Sequence, residues 1–204
     1  MIKFYALIGR MKTIRRWSLM RSAIPENVAE HSHMTAVIAH ALAVIGREYY
    51  NHDCDPNAIA TAALYHDAGE ILTGDLPTPI KYYSRDIMDA YHRVEDAAGQ
   101  KLLAMLPEKL RPSYEALLSA PEDDYTRRIL KAADKFSAYI KCAEERRAGN
   151  DEFSEAEQKT LERLHSLKLP EVEFFLENCL PAFDLTLDAL GTMEYDEVNP
   201  SDKK

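Results

Sequence analysis

The chain has 204 residues, 46% apolar and 29% charged, a balance that fits one soluble folded domain and excludes a disordered or fibrous polypeptide. A formal net charge of -9 repels polyanions, so no nucleic-acid polymer is expected as a partner, although a small anion can bind where local cations outvote the average. Cys54, Cys142 and Cys179 form no CxxC pair and point to a reducing, cytoplasmic setting rather than a disulfide framework.

Apolar spacing predicts helices over 2–14, 29–48, 57–72, 85–105, 108–119, 122–148, 154–166 and 170–191. No alternating run is long enough to build a sheet, so the expected fold is all-α. Residues 1–193 would form a single compact helical domain, and 194–204 a polar tail expected to fray. The apolar stretch Phe4 to Ile8 is cut at once by Gly9-Arg10, too short for a signal sequence or a membrane span, and no membrane association is expected. Behind it lies a cluster of cations: Arg10, Lys12, Arg15, Arg16 and Arg21. His31 stands at the opening of the second predicted helix. His33 points about 200° away and is expected at the surface. The link Asn51 to Pro56 contains His52-Asp53, read as a solvated turn.

The third predicted helix carries Tyr65-His66-Asp67-Ala68-Gly69-Glu70, three ionisable residues in a mostly apolar run. Burying them without partners would cost roughly 2–7 kcal/mol each. A divalent cation compensates well, since imidazole and carboxylate are both good ligands. On one continuous helix, Glu70 would share a surface with His66 and Asp67, one turn away and within reach of a water beside the ion. A satisfied core pair or a helix cap remains the alternative. Gly74-Asp75-Leu76-Pro77-Thr78-Pro79 is expected to be irregular, because of its two prolines. In the long helix over 122–148, Asp134 lies inside an apolar stripe, where a plain ion pair with Lys or Arg is the simpler expectation. The stretch Glu144 to Arg147 suits either an interface or a solvated face, and Gly149-Asn150 ends the helix.

His31, His66-Asp67 and Asp134, spread over separate helices in this order, resemble the HD-domain superfamily of metal-dependent phosphohydrolases. Arg16-Trp17-Ser18-Leu19-Met20-Arg21, Glu26 to Ser32, Tyr65 to Glu70, Leu72 to Pro79, Lys131 to Asp134 and Glu144 to Asn150 together resemble that superfamily's bacterial 5′-deoxynucleotidase family, from about residue 5 to residue 190. The resemblance implies an HD-domain bundle that takes a deoxyribonucleoside 5′-monophosphate to deoxynucleoside and phosphate. It implies one divalent ion (cobalt, manganese or copper) on His31, His66, Asp67 and Asp134, with Glu70 acting on the water and Arg16 orienting the phosphate. It also implies that Trp17 blocks a ribose 2′-hydroxyl, that Asp75, Leu76, Pro77 and Thr78 line the substrate pocket with His31, Asp67 and Asp134, and that Asp75 contacts the sugar or assists the leaving oxygen. From the residues alone, Trp17 would be core and Asp75 a turn residue. A homodimer is expected from the family and from the frequency of two-fold oligomers. Two alternatives stand beside this reading: another HD phosphohydrolase acting on a nucleoside triphosphate or signalling nucleotide, and a helical binding protein that keeps a structural metal without chemistry.

Overall fold

The computed structural model describes residues 1–81, 83–121 and 123–191; the expected tail over 194–204 lies outside them. Among the described residues ten α-helices are joined by turns: α1 Phe4–Ile8, α2 Val28–Tyr50, α3 Pro56–Tyr65, α4 Glu70–Thr73, α5 Thr78–Lys81, α6 Arg85–Ala104, α7 Pro112–Glu115, α8 Asp124–Arg147, α9 Ser154–Ser166 and α10 Pro170–Asn178. No β-strand occurs among the described residues, as expected.

The two long helices start where local chemistry starts them. Asn27 caps α2 by accepting from the Ala29 and Glu30 N–H groups, and Glu30 returns the bond to the Asn27 N–H, a reciprocal capping box. Asn51, left-handed at φ 57°, stops it. Asp123 opens α8 by accepting from Thr126. By length and composition α2 could cross a membrane. Here its apolar face is instead the centre of the core: Ile38, Leu42 and Ile45 pack with Ile59 of α3, Ile129, Phe136 and Ile140 of α8, and Val172 and Phe175 of α10. A smaller cluster of Phe4, Ala68, Leu102, Leu103 and Leu106 ties α1 and α6 to the turn after α3.

Several boundaries differ from expectation. The first predicted helix is α1 followed by a 3-10 turn at Met11–Thr13, split at Gly9 and Arg10. The stretch over 108–119 yields only a 3-10 turn at Glu108–Leu110 and α7, because Pro112 interrupts it and starts α7 afresh. Past Asn178, α10 gives way to a 3-10 turn at Leu180–Asp184, whose Pro181 lacks the N–H a helix needs. Residues 74–77 are irregular as expected, but α5 then begins at Thr78 with Pro79 in its first turn, where a missing N–H costs nothing. The most consequential difference is the break of the third predicted helix: α3 ends at Tyr65, residues 66–69 form a turn, and α4 restarts at Glu70.

One exchange ties the chain before α2 to that helix's start. The Arg16 N–H donates to the Glu26 carbonyl (3.1 Å) and the Val28 N–H to the Ile14 carbonyl (3.0 Å), flanking an isolated antiparallel bridge between Arg15 and Asn27.

Candidate metal centre

His31, in the first turns of α2, is fully buried. Its Nδ1 pairs with the Ser137 hydroxyl of α8 (2.9 Å), which leaves Nε2 facing inward. His66, at the end of α3, donates from Nδ1 to the Ala63 carbonyl (2.6 Å), and its buried Nε2 has no hydrogen-bond partner. Each ring is thus oriented through one nitrogen and offers the other, the arrangement that second-sphere partners impose on metal-binding histidines. Asp134 of α8 completes a group in which one ligand atom each from His31, His66 and Asp134 lie within 4.8 Å of one another. The Asp67 Oδ2 borders this group, 3.2 Å from the His66 Nε2 and 3.6 Å from the His31 Nε2. Two imidazoles and two carboxylates form a donor set suited to a divalent transition metal. The buried His66 Nε2, which forms no well-aligned hydrogen bond although the Asp67 Oδ2 lies 3.2 Å away, is the observation that fits such an ion.

The expected ion pair of Asp134 is also present, and the two readings coexist on separate oxygens. Oδ2 takes Lys135 at 2.7 Å, while Oδ1 faces the His31 Nε2 at 3.2 Å. Of the five cations in the N-terminal cluster only Arg16 turns inward; Arg10, Lys12, Arg15 and Arg21 are exposed. Its Nη1 lies 3.5 Å from the Asp67 Oδ2 and its Nε 3.0 Å from the Glu26 Oε2. Burial alone would lower the guanidinium pKa, but Asp67, Glu26, Asp134 and Asp75 outweigh it and hold the cation above its ordinary value. Burial likewise works against the charged form of His66, yet Asp67 and Asp134 lift it to about 8. For Asp67, the nearby His66, His31 and Arg16 overcome desolvation and keep the carboxylate well below its usual range.

Glu70 does not share a helix surface with His66 and Asp67, as a continuous helix would require. It opens α4 beyond the turn, buried, with Oε2 unpartnered. Desolvation first, then the charges of Asp67 and Asp75, push its carboxyl up to about 9. A cation in the centre would act in the opposite sense. Asp75 is half-buried and raised by desolvation and Asp67 against the pull of Arg16, and the Trp17 backbone N–H faces it. Leu76 and Pro77 are half-buried in the same loop, while Thr78 is exposed at the start of α5. Trp17 is not a core residue. It lies half-buried, in the left-handed region at φ 59°, with its ring 5.2 Å from that of Phe153. A bulky residue there costs about 1–2 kcal/mol of backbone energy, and the Glu26 Oε2 accepts its indole N–H at 2.9 Å. A cavity of about 210 Å³ opens onto His66, Asp67 and Glu70 from the side of α6.

Among residues that sequence reasoning passed over, Ser137 and Glu145 stand out. With Asp134 and Lys141 they form a polar stripe at three- and four-residue steps down the buried face of α8, readable from spacing alone. Glu145 is fully buried and neither an interface nor a solvated residue. It accepts the Ala23 N–H (2.8 Å), the Ile24 N–H (2.9 Å), Asn150 (2.8 Å) and Lys141, tying the segment after Trp17 to α8. Its neighbours Arg146 and Arg147 pair with Glu157 and Asp184. His33 is exposed as expected. His52 is not in a merely solvated turn: it stacks on Tyr125 (4.3 Å) and its Nε2 lies 3.2 Å from the buried Glu171.

An all-helical bundle with a His, His-Asp and Asp group gathered around one buried histidine defines an HD-domain phosphohydrolase fold. A solved HD-domain phosphohydrolase from Listeria innocua superposes with a TM-score of 0.78 at 24% identity, covering 89% of this chain and 88% of that one. A cyanophage S-2L HD phosphohydrolase, described as bound to dA and one catalytic Zn²⁺ ion, shares the fold at TM-score 0.54 and 21% identity, over 84% of this chain and 93% of its own. The family model described as 5′-deoxynucleotidase YfbR-like matches residues 3–183, and the chain belongs to that family. A 5′-deoxynucleotidase of Vibrio parahaemolyticus is 47% identical over 189 residues, 92% of this chain and 97% of the relative.

Proposed function

We propose that this chain hydrolyses deoxyribonucleoside 5′-monophosphates to deoxynucleoside and inorganic phosphate at a single divalent cation held by His31, His66, Asp67 and Asp134. The observation that carries the reading is the convergence of two oriented imidazoles and two carboxylates beside one buried, firmly charged arginine. When bound, the cation lowers the pKa of a nearby water and neutralises phosphoryl charge; cobalt, manganese and copper are the proposed activators. Arg16 presents its planar fork to the phosphate and fixes its direction. Glu70, beside Asp67, would orient the attacking water and, once the bound cation has lowered its raised pKa, take the water's proton. Asp75 either holds the sugar hydroxyl or supplies a proton to the departing 5′-oxygen, and its raised carboxyl pKa suits the second role. Trp17 stands where the sugar would pass and leaves no room for a 2′-hydroxyl, a clash-based discrimination. Leu76, Pro77 and Thr78 would line the substrate pocket beside it.

A monophosphate suits the site better than a triphosphate, because Arg16 is the one member of the basic cluster that enters it. The buried Glu70 weighs against a purely structural metal site. The unpaired thiols of Cys54, Cys142 and Cys179 agree with a cytoplasmic location, and a homodimer remains part of the proposal. The test is phosphate release from dAMP, AMP and dATP by purified protein with added cobalt or manganese. The expected result is inorganic phosphate from dAMP and little from AMP. Equal turnover of dAMP and AMP overturns the sugar selection, and release of triphosphate from dATP as the main activity overturns the substrate class.

A further inference from the structure

Arg16 and Trp17 are neighbours in sequence, and the side chains of neighbours ordinarily diverge. Here both reach a single atom. The Glu26 Oε2 accepts from the Arg16 Nε at 3.0 Å and from the Trp17 Nε1 at 2.9 Å, and the Glu26 carbonyl accepts the Arg16 N–H at 3.1 Å. The side chains of Arg16 and Glu26 are 12% and 13% exposed, so the ion pair is largely shielded from solvent screening. Trp17 takes a left-handed backbone conformation, φ 59°, that needs surrounding contacts to persist. At the other end of the guanidinium, Nη1 faces Asp67. The fork is therefore held at two corners, with further N–H groups left over for a ligand.

We propose that Glu26 is a positioning residue that locks Arg16 and Trp17 into one unit, so that the phosphate-orienting cation and the sugar-excluding wall keep a fixed spacing from the centre. This rests on the proposed roles of Arg16 and Trp17. Its physical content is one carboxylate oxygen shared by two donors of different purpose. Losing it frees a long, flexible guanidinium and removes the tether on a strained tryptophan together. Phosphate alignment and sugar discrimination then loosen in concert, although Glu26 touches neither.

Trp17 is the sole tryptophan of the chain, which makes its emission a direct reporter. The experiment measures acrylamide quenching and emission of the substrate-free protein, and KM and kcat for dAMP and AMP, in wild type, Glu26→Ala and Glu26→Gln. A charge-assisted hydrogen bond is worth enough that Glu26→Ala should raise KM for dAMP about ten- to a hundredfold. The kcat should change less, and the preference for dAMP over AMP should fall in parallel. Glu26→Gln, which keeps an acceptor oxygen without the charge, should fall between wild type and Glu26→Ala. Trp17 should be more quenchable in Glu26→Ala than in wild type.

Unchanged quenching in both variants overturns the tether. Altered quenching with unchanged KM and unchanged selectivity overturns the functional role. A uniform fall in kcat with KM and selectivity intact marks a merely structural residue and also overturns it. A wild type that fails to separate dAMP from AMP instead sinks the sugar-selection reading, and quenching and KM then decide the Glu26 proposal without it. Should Glu26→Ala fail to fold, Glu26→Gln carries the same comparisons.

Discussion

Replacing Ser137 by alanine should weaken metal binding without touching any proposed ligand. The hydroxyl lies 2.9 Å from the His31 Nδ1, and both residues are sealed from solvent, at 0% and 2% exposure. Water therefore cannot take over the lost partner. An unsatisfied buried nitrogen costs about 1–3 kcal/mol. The ring also loses the bond that fixes its tautomer and aims its Nε2 at Asp134, 3.2 Å away. Because that cost falls on the geometry the ion needs, the dissociation constant should rise about ten- to a hundredfold. Calorimetric titration of metal-stripped wild type and Ser137→Ala with manganese measures it, with circular dichroism confirming that both are folded. An affinity within twofold of wild type refutes the idea that Ser137 orients His31.

Ser32 is a built-in contrast: its hydroxyl is buried and unpartnered beside His31, so Ser32→Ala should leave the melting temperature and the metal affinity unchanged or raise the former. Gly46→Ala should destabilise the fold by about 1–3 kcal/mol, because its new Cβ would sit 2.0 Å from the Tyr125 hydroxyl and 2.8 Å from the Glu171 Oε1; denaturant unfolding gives the difference. Glu145 should make a pH-dependent contribution. Burial opposes its charge, yet Lys141, Asn150 and the Ile24 and Ala23 N–H groups hold its pKa down at about 2 against an ordinary 4.5. A depressed folded-state pKa gives stability that is present above about pH 4.5 and is lost as pH falls towards 2. The stability gap between wild type and Glu145→Gln should therefore narrow over that window, and a gap that stays constant contradicts the clamp.

The long helices were legible because periodicity and chemistry agree in them. Asn27 with Glu30 marks the start of α2, Asp123 the start of α8, and the apolar stripes of both face the same core. The break between α3 and α4 was not legible. Tyr65-His66-Asp67-Ala68-Gly69 continues the helical pattern of apolar residues, while in the fold Ala68 joins, and Tyr65 packs against, the second cluster with Phe4 and Leu102, a tertiary setting that periodicity does not carry. His31, His66, Asp67 and Asp134 were readable as ionisable residues in apolar surroundings. Their partners were harder to see, because a serine or a glutamate in a helix is ordinarily solvated. Glu145 sits in a charged run, Glu144 to Arg147, that looks like a surface until the segment 21–24 folds over it. Glu26 carried no signal of its own beyond its place in the Glu26 to Ser32 motif, since its bonds to Arg16 and Trp17 join segments that the Arg15–Asn27 bridge brings together only in the fold.

The most direct measurement strips the protein of metal, restores cobalt or manganese, and follows both bound metal and phosphate release from dAMP in wild type and in Asp67→Asn. The account predicts that wild type regains activity in proportion to about one bound ion per chain, while Asp67→Asn binds the ion weakly and releases little phosphate. Full metal content together with full activity in Asp67→Asn would contradict it.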